Sequence, residues 1–122
     1  MAKRILVVED ERELVKAIQI RLEQAGYEVM AAYDGQEGLE KAQKEKPDLI
    51  ILDLMLPKMD GYKVCGMLKH DGRYVKIPII MLTARAQDTD EKLGYECGAD
   101  AFIIKPFKHE AVLAKIKELL KE

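Results

Sequence analysis

Five short apolar runs, each followed by a stretch with helical spacing, constrain this 122-residue chain more than any other feature. The runs fall at 4–8, 27–32, 48–53, 79–82 and 101–104. The segments 11–24, 36–46, 62–69, 88–97 and 110–120 carry apolar residues three and four positions apart, the period of one helix face. Leu14, Ile18, Leu22 and Ala25 mark the first helix, and Gly26 supplies its stop. Leu39 and Ala42 mark the second, and Val112, Leu113, Ile116, Leu119 and Leu120 the last. Asp34-Gly35, Pro47-Asp48, Pro57 with Gly61, and Pro78 punctuate the pattern. The apolar runs are continuous rather than alternating, so each strand needs cover on both faces. Right-handed crossovers then give a (βα)5 α/β chain with a doubly wound, five-stranded parallel sheet. The expected strand order is 2-1-3-4-5, with a crevice beside the first strand at the point where the winding reverses.

The length fits one compact domain, predicted over 1–122. A formal net charge of -2 argues against a nucleic-acid surface on this domain. Cys65 and Cys97 are far apart in sequence and have no metal-type spacing, so they read as free thiols of a reducing compartment. No apolar run approaches the ~20 residues of a membrane span. Lys3-Arg4 lead straight into a strand, unlike a secretion signal. The expectation is a cytoplasmic domain that does not touch membrane.

The ends of the strands carry the chemistry. Asp53 closes the third run, Glu9-Asp10 follow the first, and Lys105 follows the fifth. In the expected topology Glu9-Asp10 and Asp53 are neighbours at the C-terminal edge, where open α/β sheets place their ligands. Three converging carboxylates repel one another unless a cation joins them. A hard divalent ion with oxygen ligands resolves this, and Mg2+, held by a few carboxylates and phosphate oxygens, fits best. Asp10 and Asp53 are expected to ligate it directly, Glu9 directly or through water, and the Met55 main-chain carbonyl is a further candidate. A carboxylate such as Asp53 can attack phosphorus and become an acyl phosphate. Lys105 would then supply a point charge to one phosphoryl oxygen. The Thr83 hydroxyl, at the end of the fourth strand, can bond another, and Ala84 leaves room beside it. Each feature has a plainer reading: acids at strand ends cap helices or face solvent, and Thr83 is also a good helix cap. It is the placement of all of them at matching strand ends that favours the site.

The motifs Ile5-Leu6-Val7-Val8-Glu9-Asp10-Glu11, Leu52-Asp53-Leu54-Met55-Leu56-Pro57-Lys58-Met59-Asp60-Gly61, Leu82-Thr83-Ala84-Arg85 and Gly98-Ala99-Asp100-Ala101-Phe102-Ile103-Ile104-Lys105-Pro106-Phe107 occur in this order. Over its whole length the chain resembles the receiver domain of two-component response regulators, a flavodoxin-like fold. The resemblance implies that Asp53 accepts a phosphoryl group from a sensor histidine kinase or a histidine phosphotransfer protein. It implies Mg2+ on Glu9, Asp10, Asp53 and the Met55 carbonyl. Thr83 and Lys105 correspond to the family's phosphate-sensing hydroxyl and lysine, and Phe102 to its switching aromatic. The Lys105-Pro106 peptide is expected to be cis. Phe102 is also an ordinary core aromatic by pattern. The helix over 88–97, the fifth strand and the last helix form the expected output surface toward a partner or output domain. The kinase is expected on the first helix and the loop after Lys105. Such a domain catalyses only its own phosphorylation and dephosphorylation and is not an enzyme in the wider sense.

The pattern is closest to receivers of winged-helix transcriptional regulators, which commonly dimerise through that surface. Here the expected charge network is incomplete. Asp100, Lys115 and Lys117 are present, but Ala101 replaces a second Asp, and Glu91, followed by Lys92, replaces a Lys. A phosphorylation-dependent homodimer is therefore only partly supported. Met55 and Arg85 are expected to flank the phosphate and to slow its hydrolysis by blocking an in-line water. The chain reads as a stand-alone receiver or as a piece of a longer regulator. Rival readings are weaker. A dehalogenase-like phosphotransferase carries a second Asp two residues after its nucleophile, where this chain has Met55. A flavodoxin-like electron carrier needs a phosphate-binding loop where this chain has Glu9-Asp10-Glu11. A receiver-like interaction module that is never phosphorylated remains the main alternative.

Overall fold

A computed structural model of the chain describes residues 2–84 and 97–122. The elements run β1 (Arg4–Val8), α1 (Arg12–Gln24), β2 (Glu28–Ala32), α2 (Gly35–Glu45), β3 (Leu49–Asp53), α3 (Gly61–Lys69), β4 (Ile79–Thr83), β5 (Ala101–Ile104) and α4 (His109–Leu120). The five strands form one sheet in the order β2-β1-β3-β4-β5, and every pairing is parallel. Fold class and strand order are those expected. The helix predicted over 88–97, with Glu91 and Lys92, lies outside the described residues, except that Cys97 stands in a turn.

The continuous apolar runs divide by strand parity into two cores. Leu6, Val8, Ile50, Leu52 and Met81 point to one face, where Leu39 and Ala42 of α2 and Val64, Cys65 and Leu68 of α3 meet them. Ile5, Val7, Leu49, Ile51, Ile80 and Leu82 point to the other, under Val15, Ile18 and Leu22 of α1 and Val112 and Ile116 of α4. β1, β3 and β4 are buried almost throughout, as strands covered on both sides must be. The edge strands β2 and β5 keep partly exposed positions.

Helix ends are fixed locally. The Asp34 carboxylate accepts the Glu37 N–H at 2.7 Å, and the Glu37 side chain accepts the Tyr33 N–H at 2.8 Å, the reciprocal logic of a helix cap. Asp60 accepts the Lys63 N–H at 2.9 Å and starts α3. Gly26, at φ +97°, lets the chain leave α1 in a conformation that side chains disfavour.

Gly61 ties the fold to the strand end that matters. A Cβ there would lie 2.3 Å from the Asp53 carbonyl oxygen and 2.9 Å from the Leu54 Cα, so the first turn of α3 packs directly on the end of β3. The Gly61 N–H donates to the Leu54 carbonyl at 2.9 Å, which holds this approach. Gly61→Ala should therefore destabilise the protein by about 1–3 kcal/mol despite the better helix propensity of alanine. Urea unfolding of the two proteins measures the difference.

Candidate functional site

Adjacency of β1 and β3 sets the site. Val8 pairs with Leu52, so the residues that follow, Glu9 and Asp53, leave the sheet side by side. Oxygen atoms of Glu9, Asp10 and Asp53 lie within 4.8 Å of one another. Glu9 is 0 % exposed and Asp53 4 %, while Asp10 is exposed. Thr83, 2 % exposed, closes the neighbouring β4.

Lys105 comes from β5, one strand further away. Its N–H donates to the Thr83 carbonyl at 2.6 Å, which continues the β4–β5 pairing past the strand ends. The Lys105–Pro106 peptide is cis. The side chain reaches back over β4: Nζ lies 2.6 Å from Glu9 Oε1 and 3.3 Å from Asp53 Oδ1. One ammonium thus bridges two buried carboxylates.

Electrostatics reflect this crowding. Burial, assisted by the Asp53 charge, raises the Glu9 carboxyl to about 7, against hydrogen bonds from Lys105 and from the Glu11 N–H. Burial also raises Asp53, against the charge and hydrogen bond of Lys105 and the Met55 N–H. Burial opposes the Lys105 charge, yet the Glu9 hydrogen bond and the two carboxylates carry its pKa above the usual lysine value.

The sequence-predicted residues fall into three groups. Glu9, Asp10, Asp53, Thr83 and Lys105 meet at one sheet edge. Met55 and Ala84 border it, Met55 with a side chain 72 % exposed and Ala84 also exposed. Arg85 lies outside the described residues. Phe102 is half-buried and packs on the core face that holds Met81, its register partner in β4. Sequence spacing did not signal the Glu11 N–H, which donates to Glu9 Oε2 at 3.0 Å. Nor did it signal a cavity of about 340 Å³ beside Lys105, lined by Glu11, Leu14, Pro106, Phe107 and His109. No helix among the described residues is long and apolar enough to cross a membrane.

Residues 5–117 match the response regulator receiver domain family. The chain belongs to that family. It is 49 % identical over 121 residues to the alkaline phosphatase synthesis transcriptional regulatory protein PhoP of Bacillus subtilis, covering 99 % of this chain and 50 % of the relative. The chain thus spans about half the length of the curated relatives it matches. Chemotaxis response regulator CheY4 of Vibrio cholerae superposes with a TM-score of 0.92 at 33 % identity, covering 98 % of this chain and 99 % of that one. The receiver domain of sensor histidine kinase PA1611 from Pseudomonas aeruginosa superposes at 0.91 with 28 % identity and complete coverage of both chains, and holds a magnesium ion in its active-site cleft. Receiver domains bind Mg2+ in an acidic pocket, and in this chain Glu9, Asp10 and Asp53 form an acidic cluster.

A pH dependence follows. The folded, metal-free protein holds the Glu9 proton up to about 7, whereas the unfolded carboxyl releases it near 4.5. A raised acid pKa favours the fold below the unfolded value and loses that contribution as pH rises through the folded value. In chelator, the urea midpoint should therefore fall between pH 4.5 and about 7. Glu9→Gln should flatten that slope, and a slope equal to that of the unaltered protein would show that Glu9 is not its source.

Proposed function

We propose that this chain is a phosphoacceptor switch of a two-component phosphorelay, a single receiver domain over 1–122. Asp53 takes a phosphoryl group from a sensor histidine kinase or histidine phosphotransfer protein. The observation that carries the reading is the buried Asp53 carboxylate at a strand end, with Lys105 Nζ 3.3 Å from one of its oxygens and two further carboxylates beside it. The donors are all hard oxygens at a spacing that one small divalent ion can span, so the site fits Mg2+. Glu9, Asp10 and Asp53 would hold the ion, together with the Met55 carbonyl. When bound, it supplies positive charge to the phosphoryl oxygens.

Each residue has a task. An Asp53 oxygen attacks phosphorus, forming the O–P bond as the P–N bond of the donor phosphohistidine breaks and its electron pair returns to the imidazole. Lys105 exchanges its carboxylate partners for a phosphoryl oxygen, because its flexible stem already places the ammonium beside Asp53. The Thr83 hydroxyl donates to another oxygen. Thr83 and Lys105 terminate β4 and β5, so both strand ends are drawn toward the new charge. Phe102, paired with Met81 across these strands, then turns inward. The output face is β5, α4 and the helix that the sequence predicts over 88–97, and it acts on a partner or output domain or on a second copy as a phosphorylation-dependent homodimer. The domain makes no direct nucleic-acid contact and works in the cytoplasm. The cavity between Leu14 of α1 and Phe107 supports docking of the phosphodonor protein beside Lys105.

Intact mass after incubation with acetyl phosphate and Mg2+ tests the reading. One phosphoryl adduct is expected, absent in Asp53→Asn and without Mg2+. No adduct, together with no binding of beryllofluoride, would leave a receiver-like module that is never phosphorylated.

Hydrolysis supplies a second test. Met55 and Arg85 shield the phosphorus from an in-line water. Replacing both with small polar residues should shorten the lifetime of the phosphorylated form by about tenfold, equivalent to ~1.4 kcal/mol of barrier. The decay of the adduct with time gives this directly.

A further inference from the structure

Cys65 and Cys97, separated by 32 positions, come together where α3 meets the turn that leads into β5. Cys65 lies in α3 and is 0 % exposed. Cys97 is half-buried. The Cys65 thiol donates to the Cys97 carbonyl oxygen at 3.7 Å and also bonds the Cys97 sulfur. A Cβ on Gly66, the next residue of α3, would lie 4.0 Å from the Cys97 Cβ, so the two backbones approach closely with no bulky side chain between them.

The turn that carries Cys97 is specific. Gly98 has φ +99°, a conformation that favours glycine, and the turn aims the Ala99 N–H at the Cys97 sulfur. The groups facing the pair are Asp60 at the start of α3 and the Lys69–Asp100 ion pair, closed at 2.7 Å. The two thiols are chemically unequal. Its bond to Cys97, with burial, holds the Cys65 thiol far above the usual thiol range. The same bond, with the Ala99 N–H and against burial, lowers the Cys97 thiol to about 7. A half-buried thiol of lowered pKa beside a buried thiol of raised pKa is the arrangement of an attacking and a resolving cysteine.

We propose that Cys65 and Cys97 form a redox pair, in which a hydroperoxide oxidises Cys97 and Cys65 then closes an intramolecular disulfide. The Cys97 thiolate attacks the terminal peroxide oxygen, the O–O bond breaks, and the departing oxygen takes a proton to leave as water or alcohol. Cys97 is then a sulfenic acid. The Cys65 sulfur attacks the Cys97 sulfur, the S–S bond forms, the S–O bond breaks, and the hydroxyl departs as water with the Cys65 proton. The sulfur pair loses two electrons and the peroxide gains them. The disulfide encloses β4 and Thr83 in a covalent loop and fastens the approach to β5 onto α3. In a reducing compartment such a bond is transient, a record of oxidant rather than a permanent staple. The proposal stands independently of phosphorylation at Asp53.

The test is hydrogen peroxide treatment of the whole chain, followed by unfolding, alkylation, intact mass and peptide mapping. The expected product is a monomer lighter by two hydrogens, with both cysteines protected from alkylation, a peptide linking Cys65 to Cys97, and full reversal by dithiothreitol. Cys97→Ser should leave Cys65 alkylatable after the same treatment. Cys65→Ser should accumulate sulfinic acid at Cys97. Should that buried substitution fail to fold, the peptide map of the unaltered chain decides alone. Over-oxidised Cys97 beside an alkylatable Cys65, or a disulfide only between two chains, would overturn the proposal.

Discussion

The bridge from the Lys105 ammonium to the Glu9 and Asp53 carboxylates is the interaction on which the rest of the site depends. Two acids buried to within 4 % exposure cannot both ionise in isolation, because each loses hydration and feels the other. Lys105 supplies the opposing charge from a strand that does not touch β1 or β3. Its reach across β4 links all the central strands through one charged atom. Any group that adds negative charge at Asp53, or a cation that satisfies Glu9, changes the partners open to that ammonium. The site is thus a charge balance held in tension by the sheet rather than a rigid cage.

The sheet can hold that tension because its middle strands are buried on both faces. Side chains of β1, β3 and β4 alternate between two cores, and both cores are sealed by helices. Strand ends in such a sheet cannot shift far along the strand direction, since a slip exchanges every side chain between the two faces. Polar residues therefore collect at the C-terminal edge, where loops give them room and solvent. The edge strands are less constrained. β5 is half-exposed and carries both Phe102 and, just beyond it, Lys105. An element that is partly free on one side and bonded to the charge centre on the other is suited to transmit a local electrostatic event.

The Cys65–Cys97 contact is a second, separate coupling to the same region. It joins α3 to the start of β5 on the opposite side of β4 from α4's core, while Lys69 and Asp100 make an ionic link at nearly the same place. The proposed function uses the carboxylates, Thr83 and Lys105, and leaves the two thiols unassigned. The paired thiols meet where the Gly98 turn brings the backbone beside α3.

Much of this was legible in the residues alone. Continuous apolar runs alternating with helical segments pointed to a parallel sheet, because strands apolar at every position need cover on both faces and the intervening helices supply it. Strand-end acids and the lone Lys105 pointed to residues that the structure brings together at one sheet edge. Helix starts shifted by a residue or so, since Gly35 and Gly61 join their helices behind the caps of Asp34 and Asp60, which apolar periodicity does not report. Tertiary structure alone decided which acid is buried: Glu9 turns inward and Asp10 outward, although they are adjacent in sequence and chemically alike. It alone decided that Lys105 pairs with Glu9 at 2.6 Å, closer than with Asp53, and that Cys65 meets Cys97. Periodicity reports which face a residue takes within its own element; the distance between side chains of different elements is set by how those elements pack.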